Sequence, residues 1–329
     1  MRLLHLAVAS IAIAAGAGEM RANAVGADTS GPPKARGDEM RVAQLVPDTA
    51  PPEATTGNPS LAPLKWVGML VIPTPTDKDP NSILECTAQF IKPNVLLTAA
   101  HCLRDLQANP AGPWPDVTKG TFWLQYQNQQ GTPFKILCGA VNPLWAFPAN
   151  YGAMKAAEQA DAQRTAFQHD FAMILVDGTS PTGVMPYALD WKGSVGVNNP
   201  ATAHNGASEA LGRNGNVSYV TRVGYAGDIL DGQIVQKSGG AVFFADAIPM
   251  LPKSYPNIVV QWAPITDLTE GTSGGAWIAN FSASEGANKN ILIAVTSFQF
   301  LAYPGGEGAA YLTSAEFNPL LAFVSNGCK

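Results

Sequence analysis

Leu97-Thr98-Ala99-Ala100-His101-Cys102 ends an apolar run on a histidine, with a cysteine directly after it. Further along, His169-Asp170-Phe171-Ala172-Met173-Ile174-Leu175 opens another apolar run on an aspartate, and Gly271-Thr272-Ser273-Gly274-Gly275-Ala276 sets a serine among three glycines. Each segment alone is commonplace. A serine between glycines is usually a loop, and an aspartate ahead of apolar residues is usually a strand or turn boundary. Their joint presence, in the order His, Asp, Ser, is what carries information.

Acyl transfer needs these residue types. A serine hydroxyl is a weak nucleophile until a neighbouring base takes its proton, and histidine titrates in the right range to do so. A carboxylate fixes the imidazole tautomer and stabilises the imidazolium that forms. Backbone N–H groups must then meet the developing oxyanion. Gly271 lets the chain turn so that its own N–H and that of Ser273 can face one point, and Gly274 and Gly275 let backbone approach the nucleophile closely.

Outward from these segments the chain reads as short strands. In the first half they are Trp66–Ile72, Ile83–Ile91, Asn94–Thr98, Phe122–Tyr126, Phe134–Leu137 and Phe171–Val176. In the second half they are Val217–Thr221, Ile234–Gln236, Ala241–Phe244, Ile258–Gln261, Ile291–Phe298 and Ala310–Leu312. Ala153–Phe167 has the composition of a surface helix, and Pro181–Asn205 is a turn-rich crossing between two halves. No repeat recurs at a fixed period. Many short strands with few helices predict an all-β protein of barrels or sandwiches.

The ends and the composition set the compartment. Arg2 followed by the apolar stretch Leu3–Gly18 and the small residues of Ala22-Asn23-Ala24 predict a signal peptide over 1–24. Residues 25–63, rich in Pro, Ala, Thr, Gly and Asp, read as a disordered linker or pro-segment; the Arg36-Gly37-Asp38 tripeptide within it is read as chance. After cleavage no stretch is long and apolar enough for a membrane anchor, so the protein is expected to be secreted or periplasmic. A net charge of −5 lacks the basic face that nucleic acid calls for. Export makes the four cysteines candidate disulfides, with three possible pairings.

The three segments resemble those of the trypsin/chymotrypsin superfamily of serine proteases, over roughly Leu64 to Lys329. The resemblance implies two antiparallel six-stranded Greek-key barrels, here 64–195 and 196–329, with the active site in the cleft between them. It implies His101, Asp170 and Ser273 as the catalytic triad and Gly271 and Ser273 as the oxyanion hole. It also implies a Cys86–Cys102 disulfide, which leaves Cys138 and Cys328 to each other. Val295-Thr296-Ser297-Phe298 resembles the strand that pairs with substrate, with Ser297 also supporting Asp170. Gly308–Thr313 resembles a wall of the specificity pocket. No cofactor or metal is implied. The expected partners are polypeptide substrates, met by a monomer.

Asp267-Leu268-Thr269-Glu270-Gly271-Thr272-Ser273-Gly274 and Gly224-Tyr225-Ala226-Gly227-Asp228 are similar to glutamyl-endopeptidase-like (V8-like) chains, although Leu268 departs from their pattern. Two further departures bear on function. Thr272 stands where trypsin carries the aspartate that receives a freshly cut N-terminus. Thr296 stands where glutamate-specific members carry a histidine. The substrate-binding candidates are Asp267, Ser297, Phe298 and Gln299. Asp267 is either a recognition charge for Arg or Lys side chains or a structural loop residue.

His169 is expected to point away from the triad, because adjacent strand residues face opposite sides. His204 is read as a surface residue. The main function expected is an endopeptidase. The alternative is a catalytically silent protease-like binding protein. An esterase reading of Gly271–Gly275 fails on the chain order of the triad.

Overall fold

The computed structural model describes residues 55–75, 79–106, 115–191, 218–226, 234–244, 255–262, 271–300 and 306–329. The expected signal peptide, most of the 25–63 segment, His204 and Asp267 lie outside these residues. Thirteen strands are described. The first barrel is built from β2 (Val67–Pro73), β3 (Ile83–Lys92), β4 (Val95–Thr98), β5 (Thr121–Gln127), β6 (Gln130–Val141) and β7 (Ala172–Val176). They close in the order β2-β3-β4-β7-β6-β5, all pairs antiparallel. Between β5 and β6 the chain reverses over Asn128 and Gln129, both at positive φ, the conformation that a two-residue hairpin loop demands. Inside, Phe90 meets Phe122 and Phe134 edge-on, with centroids 5.4 and 5.1 Å apart. Edge-to-face packing of this kind adds to area burial.

The second barrel holds β8 (Ser218–Tyr225), β9 (Ile234–Phe244), β10 (Ile258–Trp262), β11 (Ala276–Ala279), β12 (Ile291–Phe300) and β13 (Gly306–Tyr311). Its order is β9-β10-β13-β12-β11-β8, and β8 also pairs with β9, which closes the ring. The two barrels share one strand order without a detectable repeat in sequence. Their architecture is the two-barrel, all-β one expected. The two strands expected over Ile234–Gln236 and Ala241–Phe244 are one, since Gly239 and Gly240 stay in the ladder opposite Thr221 and Val220. The short strand β11 went unread.

Each barrel is strapped by a piece of chain from the far end. Upstream of the first barrel, β1 (Thr55–Thr56) pairs with Gln236 and Val235 of the second. Ordered structure therefore begins ahead of Leu64, and Ala62, inside the segment read as a linker, is buried. After β7 the crossing segment reaches the second barrel early: Ala188 N–H donates to Leu292 O at 3.0 Å and Asp190 N–H to Leu312 O at 3.0 Å. At the other end, helix α2 (Ser314–Ser325) packs on β6 and β7 of the first barrel. Its Phe317 is fully buried against Tyr187, 4.8 Å between centroids, and the Cys138–Cys328 disulfide fastens its end to β6. Helix α1 (Ala156–Phe167) lies where a helix was expected. It is no mere surface element, because Ala166 and Phe167 are buried. No described helix is long and apolar enough to cross a membrane.

Candidate active site

His101 sits in a single 3-10 turn, Ala100–Cys102, directly after β4. The Cys86–Cys102 disulfide ties that turn to β3. Asp170 lies two residues before β7, the strand paired with β4. Strand pairing and the disulfide thus bring the two side chains together. His101 Nδ1 lies 2.7 Å from Asp170 Oδ2, and the His101 backbone N–H donates to Asp170 Oδ1 at 2.8 Å. An ionised carboxylate only accepts, so Nδ1 carries a proton, and in the neutral ring Nε2 keeps its lone pair. Ser297 Oγ–H donates to the same Oδ2 at 2.5 Å. Asp170 is wholly buried.

The electrostatics of His101 follow from this. Burial alone would push its pKa down, but the Asp170 charge, the Asp170 hydrogen bond and the more distant Asp105 together leave it above the usual 6.5. Cys86, His101 and Cys102 are the one grouping of metal-ligand types among the described residues. Its two sulfurs are bonded to each other, so they supply no thiolate.

Ser273 is delivered by the second barrel, on the loop that runs into β11. The glycines around it are required for two reasons. Gly271 and Gly274 take φ of +96° and +80°, where L side chains are strained. A Cβ on Gly274 would lie 2.2 Å from Thr98 Oγ1, 2.5 Å from Thr87 O and 2.7 Å from Ala99 N, all in the first barrel. A Cβ on Gly275 would lie 2.1 Å from Val223 O. The loop is pressed backbone to backbone against the strand end that leads to His101.

Thr87 organises this contact. Its N–H donates to Ser273 O at 2.8 Å and its Oγ–H donates to Gly271 O at 2.7 Å. The hydroxyl also accepts Tyr225 N–H at 2.8 Å. Gln89 adds a bond from Nε2 to Gly274 O at 3.2 Å. The loop is held from its other side by Thr296, whose O accepts Gly274 N–H and whose N–H donates to Gly275 O, each at 2.9 Å. Those two glycine groups are spent on Thr296 of β12, so they serve the seat of Ser273. Sequence reading missed Thr87 and Gln89. Their signal was weak but present, since two uncharged polar residues interrupt the apolar β3 right after Cys86.

Ser297 sits at a register shift of β12 between Thr296 and Phe298, and this bulge turns its side chain onto Asp170. Its hydroxyl is therefore committed to the aspartate. Phe298 is 3% exposed; its ring covers Gly308, and it lies 4.9 Å from the Phe167 ring. Gln299 is described by its backbone, paired with Glu307. Thr296 Oγ1 accepts the indole N–H of Trp277 at 3.0 Å, and Arg222 stacks over that indole while pairing with Glu307 inside the barrel. Burial brings the Arg222 pKa down to about 9. His169 does leave the site, through a turn rather than by strand alternation: its N–H donates to Ala166 O and its O accepts Phe171 N–H.

This is the trypsin/chymotrypsin-like serine protease fold. The chain is similar to the protease Anisep from Arthrobacter nicotinovorans, at 13% identity over 82% of this chain and 99% of that one, with a TM-score of 0.52. It is similar to a Glu endopeptidase at 16% identity, over 84% and 96% of the two chains, with a TM-score of 0.50. It is also similar to an inactivated protease paralogue of the scabies mite, at 11% identity over 83% and 99%, with a TM-score of 0.53. No family model and no curated protein matches the sequence. At these identities the likeness is one of fold, and one of the three is an inactivated protein.

Proposed function

We propose that the protein is an exported serine endopeptidase with Ser273 as nucleophile, His101 as general base and acid, and Asp170 as the group that orients His101. The observation that carries this is the wholly buried Asp170 carboxylate. It accepts both the ring and backbone N–H of His101, while the Ser273 loop is seated against the strand end leading to that histidine. A protein retaining the fold only to bind would have no need of a buried carboxylate aligned on an imidazole.

In this reading Ser273 Oγ attacks the scissile carbonyl carbon and His101 Nε2 takes its proton. The carbonyl oxygen becomes an oxyanion at the N–H groups of Gly271 and Ser273. Collapse breaks the C–N bond, and the leaving amine takes the proton from His101. Water, deprotonated by the same nitrogen, then releases the acyl group and restores Ser273. The two disulfides suit an oxidising compartment and support the signal peptide read over 1–24. Polypeptides are the substrate class.

The test is labelling by a fluorophosphonate probe, with peptide mapping of the adduct. Labelling at Ser273, lost in Ser273→Ala together with several powers of ten in peptidase rate, is the expected result. A folded protein that is not labelled and cleaves no peptide library would instead place the chain with protease-like binding proteins.

A further inference from the structure

We propose that Glu316 is a positioning residue for the His101–Asp170 pair, holding the Asp170 turn from outside the cleft. This rests on the serine-protease reading above. Glu316 stands in the first turn of α2, where the helix dipole favours a carboxylate. The carboxylate gathers three donors from three parts of the fold. Oε2 accepts from His169 Nδ1 at 2.8 Å and from Asn142 Nδ2, and Oε1 accepts from Asn257 Nδ2 at 3.2 Å. His169 belongs to the turn before Asp170, Asn142 directly follows β6, and Asn257 directly precedes β10 of the second barrel.

The same residues grip the turn through their backbones. Asn257 N–H donates to Gln168 Oε1 at 3.4 Å, and Asn142 N–H donates to Phe171 O at 3.0 Å. Gln168, His169 and Phe171 are therefore each bonded to this cluster, and the residue they enclose is Asp170. Both Asp170 oxygens are committed, Oδ1 to the His101 backbone and Oδ2 to His101 and Ser297. A small rotation of the turn would misalign all three bonds at once. Charge-assisted bonds to an acceptor fixed on a packed helix resist that rotation. The helix itself is anchored by buried Phe317 near its start and by the Cys138–Cys328 disulfide at its end.

Glu316 acts through geometry rather than through its field on the imidazole. The carboxylates that hold the His101 pKa up are Asp170 and Asp105, and Glu316 is not among them. In Glu316→Gln the charge is lost and one acceptor oxygen becomes an NH₂, so none of the bonds is charge-assisted by the acceptor and one of them survives only if an asparagine amide turns over.

The experiment follows the rate of fluorophosphonate labelling of Ser273 against pH in the full chain, for wild type, Glu316→Gln, His169→Ala and the double variant. Thermal unfolding is measured alongside. The expected result is a plateau rate lower by about 10- to 100-fold in Glu316→Gln, the scale of a misplacement near 1 Å. The midpoint should move to lower pH, because Asp170 no longer holds the His101 proton as well. His169→Ala should show the same direction, and the double variant should lose less than the product of the two. If Glu316→Gln yields no folded protein, Asn257→Ala, which removes one donor only, should show a smaller loss with the same midpoint shift. A folded Glu316→Gln with wild-type plateau and midpoint, whatever its melting temperature, overturns the proposal and leaves the protease reading standing. A wild type that does not label overturns both.

Discussion

Gly274→Ala puts the seat of Ser273, the proposed nucleophile, to a quantitative test. The added methyl would sit 2.5 Å from Thr87 O and 2.7 Å from Ala99 N, both backbone atoms that cannot swing aside. Restoring ordinary contact of 3.4 Å to Thr87 O alone requires a shift of about 0.9 Å. The shift has to be taken up between the barrels, because Thr87 is in β3 and the loop is fastened to β12 through Thr296. Two costs add. A non-glycine residue at φ of +80° is strained by roughly 1–2 kcal/mol, and overpacking adds roughly 1–3 kcal/mol. A total of about 2–5 kcal/mol corresponds to a melting temperature lower by roughly 4–20 °C in a domain of this size. At temperatures where the variant is still folded, a displacement near 1 Å between Ser273 and His101 should slow fluorophosphonate labelling by on the order of 10²-fold. Gly152→Ala is the control, since no atom lies within 4 Å of its would-be Cβ. If Gly274→Ala melted within a degree of wild type and labelled at the same rate, the idea that backbone contact between the barrels seats Ser273 would be wrong.

Thr87→Val keeps the shape of the side chain but removes the hydroxyl shared by Gly271 O and Tyr225 N–H. Two buried groups left unpaired should lower stability by about 2–6 kcal/mol in chemical denaturation, and labelling should slow because Gly271 loses its anchor. In the proposed mechanism His101 must be neutral to act as base, so activity should rise with pH through a midpoint above the ordinary 6.5. Asp170→Asn removes the charge that raises that pKa, so its midpoint should fall while its rate drops on the order of 10⁴-fold. The linkage to folding has its own sign: because the folded pKa of His101 is raised, its contribution to stability is present in full below the unfolded value and is lost as pH rises through the folded one.

What could be read from the chain beforehand was whatever is local. The three catalytic-type segments each announce themselves within seven residues, and most strands show as short apolar runs. The seat of Ser273 was not legible, because Thr87 and Gly271 are 184 positions apart and each looks ordinary in its own neighbourhood. The Glu316 cluster was hidden for the same reason, with His169 separated from it by 147 positions. Helix α2 went unread because Pro319 lies inside it, although its buried Phe317, Leu320 and Val324 recur at helical spacing. Gly239-Gly240 falls between two expected strands yet lies in a continuous one, since pairing with β8 overrides the local preference of glycine.

Apolar side chains of both barrels share their clusters, and the polar bonds set among them at the Ser273 loop bear on how the site is set. Two barrels meeting through apolar side chains alone could slide by a fraction of a residue at little cost, because apolar attraction is not directional. Here the loop carrying Ser273 meets the first barrel through Thr87 N–H, Thr87 Oγ and Gln89 Nε2, each aimed at one carbonyl of the loop. Sliding would leave those groups buried and unpaired, at about 1–3 kcal/mol each. The glycines remove the methyl groups that would hold the backbones apart. The hydrogen bonds then allow one docking position only. Ser273 and His101 come from different barrels, so the same few bonds that dock the barrels fix the spacing on which the proposed catalysis would depend. Residues that touch neither substrate nor the reacting atoms, Thr87 foremost, should therefore control turnover through position.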